Sequence, residues 1–91
     1  MIHVAQFGAG RIGQVHAANI AAHREAQLAY VVDVHAPSAK ALADQYGATV
    51  GDATGVFSDA DVDAVIVASS TDTHLDLILA AIEAGKPVFC E

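Results

Sequence analysis

Residues 2–33 read IHVAQFGAGRIGQVHAANIAAHREAQLAYVVD, and the fold is decided inside them. Gly8-Ala9-Gly10-Arg11-Ile12-Gly13 fits the pattern G-x-G-x-x-G. It follows a short apolar run, Ile2–Phe7, of strand length. It opens a stretch from Arg11 to about His23 in which Ile12, Val15 and Ile20 recur on roughly one helical face. Leu28–Val34 is rich in β-branched residues and reads as a second strand, with Asp33 near its end, about twenty residues beyond Gly13. Each glycine serves a different physical purpose. Gly8 permits a tight strand-to-helix turn, Gly10 leaves the backbone bare for a pyrophosphate, and Gly13 lets the helix pack closely on the sheet. The free N–H groups and positive end of the helix would then face the phosphates. Arg11 either shields those phosphates or points to solvent. The competing reading is a glycine-rich bend with no ligand; strand, helix and acid in register favour a nucleotide.

Asp33 bears on which nucleotide. A carboxylate at the end of the second strand can accept hydrogen bonds from both hydroxyls of an adenine ribose. A 2′-phosphate there would meet like charge, at about 4 kcal/mol for unit charges 4 Å apart in an effective dielectric near 20. No Arg or Lys follows closely; the next residues are Val34, His35 and Ala36. NAD is therefore expected over NADP. The alternative is an aspartate that only caps a helix.

Working outward, strand-length and helix-length patterns continue to alternate. Pro37 to about Tyr46 reads as a helix, with Ala41, Leu42 and Tyr46 toward the sheet and Gly47 as its C-terminal stop. Ala48–Val50 is a weak third strand, and residues 51–61 a loop with a short helix near Gly55–Phe57. Ala64–Ala68 is a fully apolar strand. Thr73 to Ala84 is a helix whose Leu75, Ile78, Leu79 and Ile82 give a broad apolar face, ended by Gly85 and Pro87, and Pro87–Cys90 is a last strand. The expectation is an α/β Rossmann-type parallel sheet of about five strands, order 3-2-1-4-5, with helices on both faces in three α/β/α layers. Ligands of such sheets lie beyond the carboxyl ends of the strands, which puts the loop Ser69–His74 beside the nucleotide. Ser69, Ser70 and Thr71 serve either the cofactor or the loop itself, and Asp72 is the candidate helix cap.

Composition narrows the function further. The 91 residues suffice for one domain, 54% of them are hydrophobic but only 5% aromatic, so the core must be Ala, Val, Ile and Leu. Net charge is −7 with four basic residues, which argues against nucleic acid or an anionic membrane surface as partner. A phosphate site here must rely on backbone N–H groups. One cysteine, Cys90, excludes an internal disulfide and fits a cytoplasmic protein. Histidines at 3, 16, 23, 35 and 74 lack metal-ligand spacing, so no metal is expected. His16 is expected to make a structural hydrogen bond, and Lys86 to sit at the end of the last helix, where a cation is favoured.

Four motifs together resemble the N-terminal domain of the Gfo/Idh/MocA oxidoreductases: GAGRIGQVHAANI at 8–20, VVDV at 31–34, SSTDTH at 69–74 and EAGKPVFCE at 83–91. Within that family, Gly-Arg-Ile-Gly with His16 and Asn19 is most similar to the inositol 2-dehydrogenases. The resemblance spans nearly the whole chain. It implies NAD-dependent oxidation of a polyol or sugar hydroxyl to a ketone. It also implies that Gly8, Gly10, Arg11, Ile12 and Gly13 hold the pyrophosphate, that Asp33 takes the adenine ribose, and that Ser69, Ser70, Thr71 and His74 line the cofactor cleft. Glu91 would begin the family's Glu-Lys-Pro motif. The lysine of that motif, the later proton-transfer groups and the substrate domain would all follow Glu91. Residues 1–91 are thus expected to be a truncated NAD(P)-binding domain that holds cofactor without turning over and self-associates through an uncovered sheet edge. The alternatives are a stand-alone adenine-nucleotide-binding module and a folding unit without activity.

Overall fold

A computed structural model describes residues 1–69 and 73–90. Ser70, Thr71, Asp72 and Glu91 lie outside the described residues, and with them the expectations placed on those four positions. In chain order the elements are β1 (Ile2–Phe7), α1 (Arg11–Ala22), β2 (Ala26–Val32), α2 (Ala36–Tyr46), β3 (Thr49–Val50), α3 (Ala53–Ser58), β4 (Ala64–Val67), α4 (His74–Glu83) and β5 (Val88–Cys90). The strands form one parallel sheet in the order β3-β2-β1-β4-β5, as the alternating pattern requires. No helix among the described residues is long and apolar enough to cross a membrane.

The core divides along the sheet. On one face Val4, Leu28 and Val31 pack under Ala17 and Ile20 of α1 and Ala39, Leu42 and Ala43 of α2. On the other, Ala5, Phe7, Val65 and Val67 pack with Val56 of α3, and Leu77 of α4 closes on them. Alternation along β2 is broken by a bulge. Val4 pairs with Leu28 but Ala5 pairs with Tyr30, so Ala29 is the extra residue. This is how Leu28 and Val31, three apart, reach the same face while Tyr30 and Val32 reach the other.

Three expected helix faces differ from the observed ones. The buried stripe of α1 is Gly13, Ala17 and Ile20, and Ile12 and Val15 are exposed. In α2 the buried residues are Ala39, Leu42 and Ala43; Ala41 faces solvent and Tyr46 is half-buried. In α4 only Ala81 is fully buried, Leu77 and Ile78 are partly so, and Leu75, Leu79 and Ile82 are exposed. Small residues win the contact positions because a parallel sheet and its helices approach closely where side chains are short.

The turns behave as their residues dictate. Gly47 adopts φ +69° at the end of α2, where a left-handed residue closes the last carbonyls. After α4, Gly85 takes φ +71°, its N–H meeting the Ile82 carbonyl at 3.0 Å and the Lys86 N–H meeting Ala81 at 2.9 Å. Lys86 does not stay at that helix end. Its ammonium crosses to the loop between α3 and β4 and donates to the carbonyls of Asp59 (2.9 Å) and Val62 (2.8 Å).

Candidate functional site: a bare glycine turn facing a fixed carboxylate

The three glycines of the first turn meet three different surroundings. Gly8 has φ +110°, and a Cβ there would lie 2.4 Å from the carbonyl oxygen of Ala68. The absence of a side chain lets the ends of β1 and β4 close together, with the Ala68 N–H donating to Phe7 at 2.7 Å. A Cβ on Gly13 would come within 2.2 Å of the Gly8 carbonyl oxygen, so α1 rests directly on the turn. Around Gly10, nothing among the described residues comes within 4 Å of where a Cβ would stand. Gly47 and Gly85 are equally open, but of the three only Gly10 borders the cleft at the carboxyl ends of the strands. Gly10 is also the N-cap of α1, where no side chain among the described residues caps the helix and no acidic residue occupies the first turn. The first-turn N–H groups and the positive end of the helix are thus left for an anion.

Below the turn lies a polar side chain that the motif does not point to. Gln6 faces inward from β1 and is fully buried. Its Nε2 donates to the carbonyls of Gly8 (2.9 Å) and Gly13 (2.6 Å). Its Oε1 is buried without a hydrogen-bond partner among the described residues, an arrangement that costs about 1–3 kcal/mol.

Asp33 stands just past the end of β2, half-buried. Its Oδ2 accepts from the Ala9 N–H at 2.7 Å and its Oδ1 from the His35 N–H at 2.8 Å. Both oxygens keep a lone pair for a further donor. The helix-capping reading of Asp33 does not hold: α2 is capped by His35, whose Nδ1 accepts from the Ser38 N–H.

Gly8, Gly10, Asp33 and Ser69 come together, with Val34 and Thr73, around a cleft of about 310 Å³ at the carboxyl ends of the strands. A neighbouring hollow of about 180 Å³ shares Asp33, Val34, Ser69 and Thr73, and adds apolar lining from Phe7 and Leu77. Arg11, Ile12 and Gly13 lie on the first turn of α1 but are not among the lining residues. Nor is His74, whose Nε2 is 2.8 Å from the Ser69 carbonyl and whose Nδ1 is 3.1 Å from Cys90 Sγ. A carbonyl only accepts, so Nε2 carries the proton and Nδ1 receives the thiol hydrogen. His74 fastens the β4–α4 loop to β5 rather than facing the cleft. His16 meets Phe89 edge to face, ring centroids 5.9 Å apart.

A larger cavity, about 450 Å³, opens beside His3, Tyr30 and Asp59 at the amino ends of the strands. Open parallel sheets take their ligands at the opposite end. Tyr30 donates to Asp59 Oδ2 at 2.7 Å. That hydrogen bond, more than the Asp61 N–H, holds the Asp59 carboxyl below its ordinary range, and the same partner pushes the Tyr30 phenol up.

A sheet of this order, with an open glycine turn at its carboxyl edge, matches over residues 2–91 the family model described as the Gfo/Idh/MocA oxidoreductase family, NAD-binding Rossmann fold. The chain belongs to this family. It is an NAD-binding Rossmann domain of Gfo/Idh/MocA type. Among curated relatives, the inositol 2-dehydrogenase of Rhizobium meliloti is 44% identical over 84 residues, covering 92% of this chain and 26% of its own. Among solved structures, a putative myo-inositol dehydrogenase from Sinorhizobium meliloti superposes with a TM-score of 0.96 at 40% identity, covering 99% of this chain and 27% of that one. The scyllo-inositol dehydrogenase of Lactobacillus casei, solved with bound NAD(H) and scyllo-inositol, superposes with a TM-score of 0.89 at 32% identity, covering 99% and 27%. The chain thus spans about a quarter of the length of the relatives it matches.

Proposed function

We propose that this chain is the cofactor domain of a dehydrogenase that oxidises a polyol or sugar hydroxyl to a ketone, in the manner of the inositol 2-dehydrogenases. The observation that carries the reading is the space over Gly10, open among the described residues at the start of α1, with the Asp33 carboxylate on the same cleft. A pyrophosphate fits that space, because a ligand without side-chain competition can reach the backbone donors. Arg11 and Ile12 supply first-turn amide groups, while Gly13 acts by close packing. Asp33 receives the adenine ribose hydroxyls on its remaining lone pairs and repels a 2′-phosphate. The adenine lies on the apolar hollow, against Val34 and Leu77. Ser69 borders the cleft. His74 acts through its hold on the Ser69 carbonyl.

NAD, when bound, accepts a hydride from the carbinol carbon. This chain's residues bind and orient it. The polyol-binding part corresponds to the length of the relatives that the chain does not span. A cytoplasmic location accords with a single cysteine, Cys90, that has no second cysteine in the sequence to form a disulfide with.

Titration with NADH and NADPH, followed by fluorescence, tests the reading. NADH should bind more tightly than NADPH, and Asp33→Ala should weaken NADH by at least about tenfold, as losing hydrogen bonds to a charged group does. Absence of NADH binding, or a preference that survives Asp33→Ala, would overturn it. On the full-length protein, NAD reduction with inositol isomers tests the substrate class.

A further inference from the structure

The inward-facing position of β1 occupied by Gln6 has apolar neighbours: Val4 two residues earlier, and Ala9 and Ala17 in the same layer. An apolar side chain would be the ordinary solution there. Gln6 instead spends both amide hydrogens on the carbonyls of Gly8 and Gly13 and leaves its own oxygen without a partner among the described residues. What this secures follows from the planarity of the peptide bond. The Gly8 carbonyl and the Ala9 N–H belong to one rigid plane and point in opposite directions. Drawing the Gly8 carbonyl down to Gln6 therefore turns the Ala9 N–H up. That N–H donates to Asp33 Oδ2 at 2.7 Å. One relay thus runs from Gln6 through the Gly8–Ala9 peptide to the carboxylate. The second bond, to Gly13, holds the first turn of α1 to the same amide.

We propose that Gln6 is a positioning residue for cofactor selection: it orients the Gly8–Ala9 peptide so that Asp33 is held where it admits a ribose 2′-hydroxyl and rejects a 2′-phosphate. The inference rests on the NAD reading above. It goes beyond that reading in tracing the discrimination to a side chain that touches no part of the ligand.

The test is the ratio of NADH to NADPH dissociation constants in Gln6→Met and Gln6→Leu, each checked for native circular dichroism at the temperature used. Both variants fill the space without a donor. The ratio should fall toward unity by at least about threefold, the lower end of coupling between residues in one hydrogen-bond network. A merely structural role would lower the melting temperature and leave the ratio unchanged, and that result overturns the proposal. In an Asp33→Ala background Gln6→Met should leave the ratio untouched; independent, additive effects there also overturn it. Should both Gln6 variants fail to fold, exchange of the Gln6 side-chain amide hydrogens in the wild-type protein decides. Protection should rise more with NADH bound than with NADPH, and an equal response overturns the relay. Wild-type protein that binds no NADH sinks the NAD reading itself, whereas selective wild-type binding with an unmoved ratio in the variants sinks only the role of Gln6.

Discussion

Gly10 and Gly13, three residues apart, separate what the ligand needs from what the fold needs. Adding a methyl at Gly13 drives it into the Gly8 backbone, whose carbonyl oxygen would be 2.2 Å away. Gly13→Ala should therefore destabilise the domain by about 2–4 kcal/mol, the range of severe packing conflicts. Adding one at Gly10 meets nothing among the described residues. Gly10→Ala should leave the unfolding free energy from urea titration within about 0.5 kcal/mol of the parent, as an unburdened surface change does, yet weaken NADH binding markedly. A Gly10→Ala protein that binds NADH as well as the parent would remove the pyrophosphate from that space. Asp59 gives a second prediction at this scale. Its carboxyl is held below the ordinary range, chiefly by the Tyr30 hydroxyl. A lowered folded value means stability that is present above the ordinary carboxylate range and lost as pH falls through the lowered one. Tyr30→Phe should be less stable than the parent at neutral pH, and the gap should narrow in acid below that range. Parallel urea-stability curves down to acid pH would contradict this.

The elements themselves were largely legible in the amino-acid order, because the glycine turn, the β-branched runs and Gly47 and Gly85 each leave a chemical mark. What did not show was which side of a helix touches the sheet. In α1 the apolar weight of Ile12 and Val15 points one way, while contact falls to Gly13 and Ala17, whose small size matters more at close approach than their hydrophobicity. In α4 Leu75, Leu79 and Ile82 make the most conspicuous stripe and lie outward. The bulge at Ala29 has no signature, since it depends on how β1 and β2 register. Of the site, Gly8, Gly10, Asp33 and Ser69 could be placed from the motif and its spacing. Val34, Thr73 and Leu77 could not, because ordinary residues become cleft lining only once the strand ends converge. Gln6 escapes notice because a polar residue inside an apolar run reads as an interruption, and its partners are carbonyls that the sequence does not display.

At the scale of the whole molecule, β5 ends the described sheet with Phe89 exposed and set against His16 of α1, a helix on which Ile12 and Val15 are exposed too. A sheet edge beside exposed apolar side chains favours pairing with a second copy. Light scattering of the isolated 91-residue chain should show concentration-dependent association, reduced by Phe89→Lys; a sharp monomer at high concentration would contradict it. The far side of the same strand is secured quite differently. Lys86, two residues before β5, grips the carbonyls of Asp59 and Val62 ahead of β4. Under a pulling force on the carboxyl end of the chain, β5 peels away from Cys90 back to Val88, and that grip is the clasp at which peeling halts until an ammonium is torn from two oxygens at once.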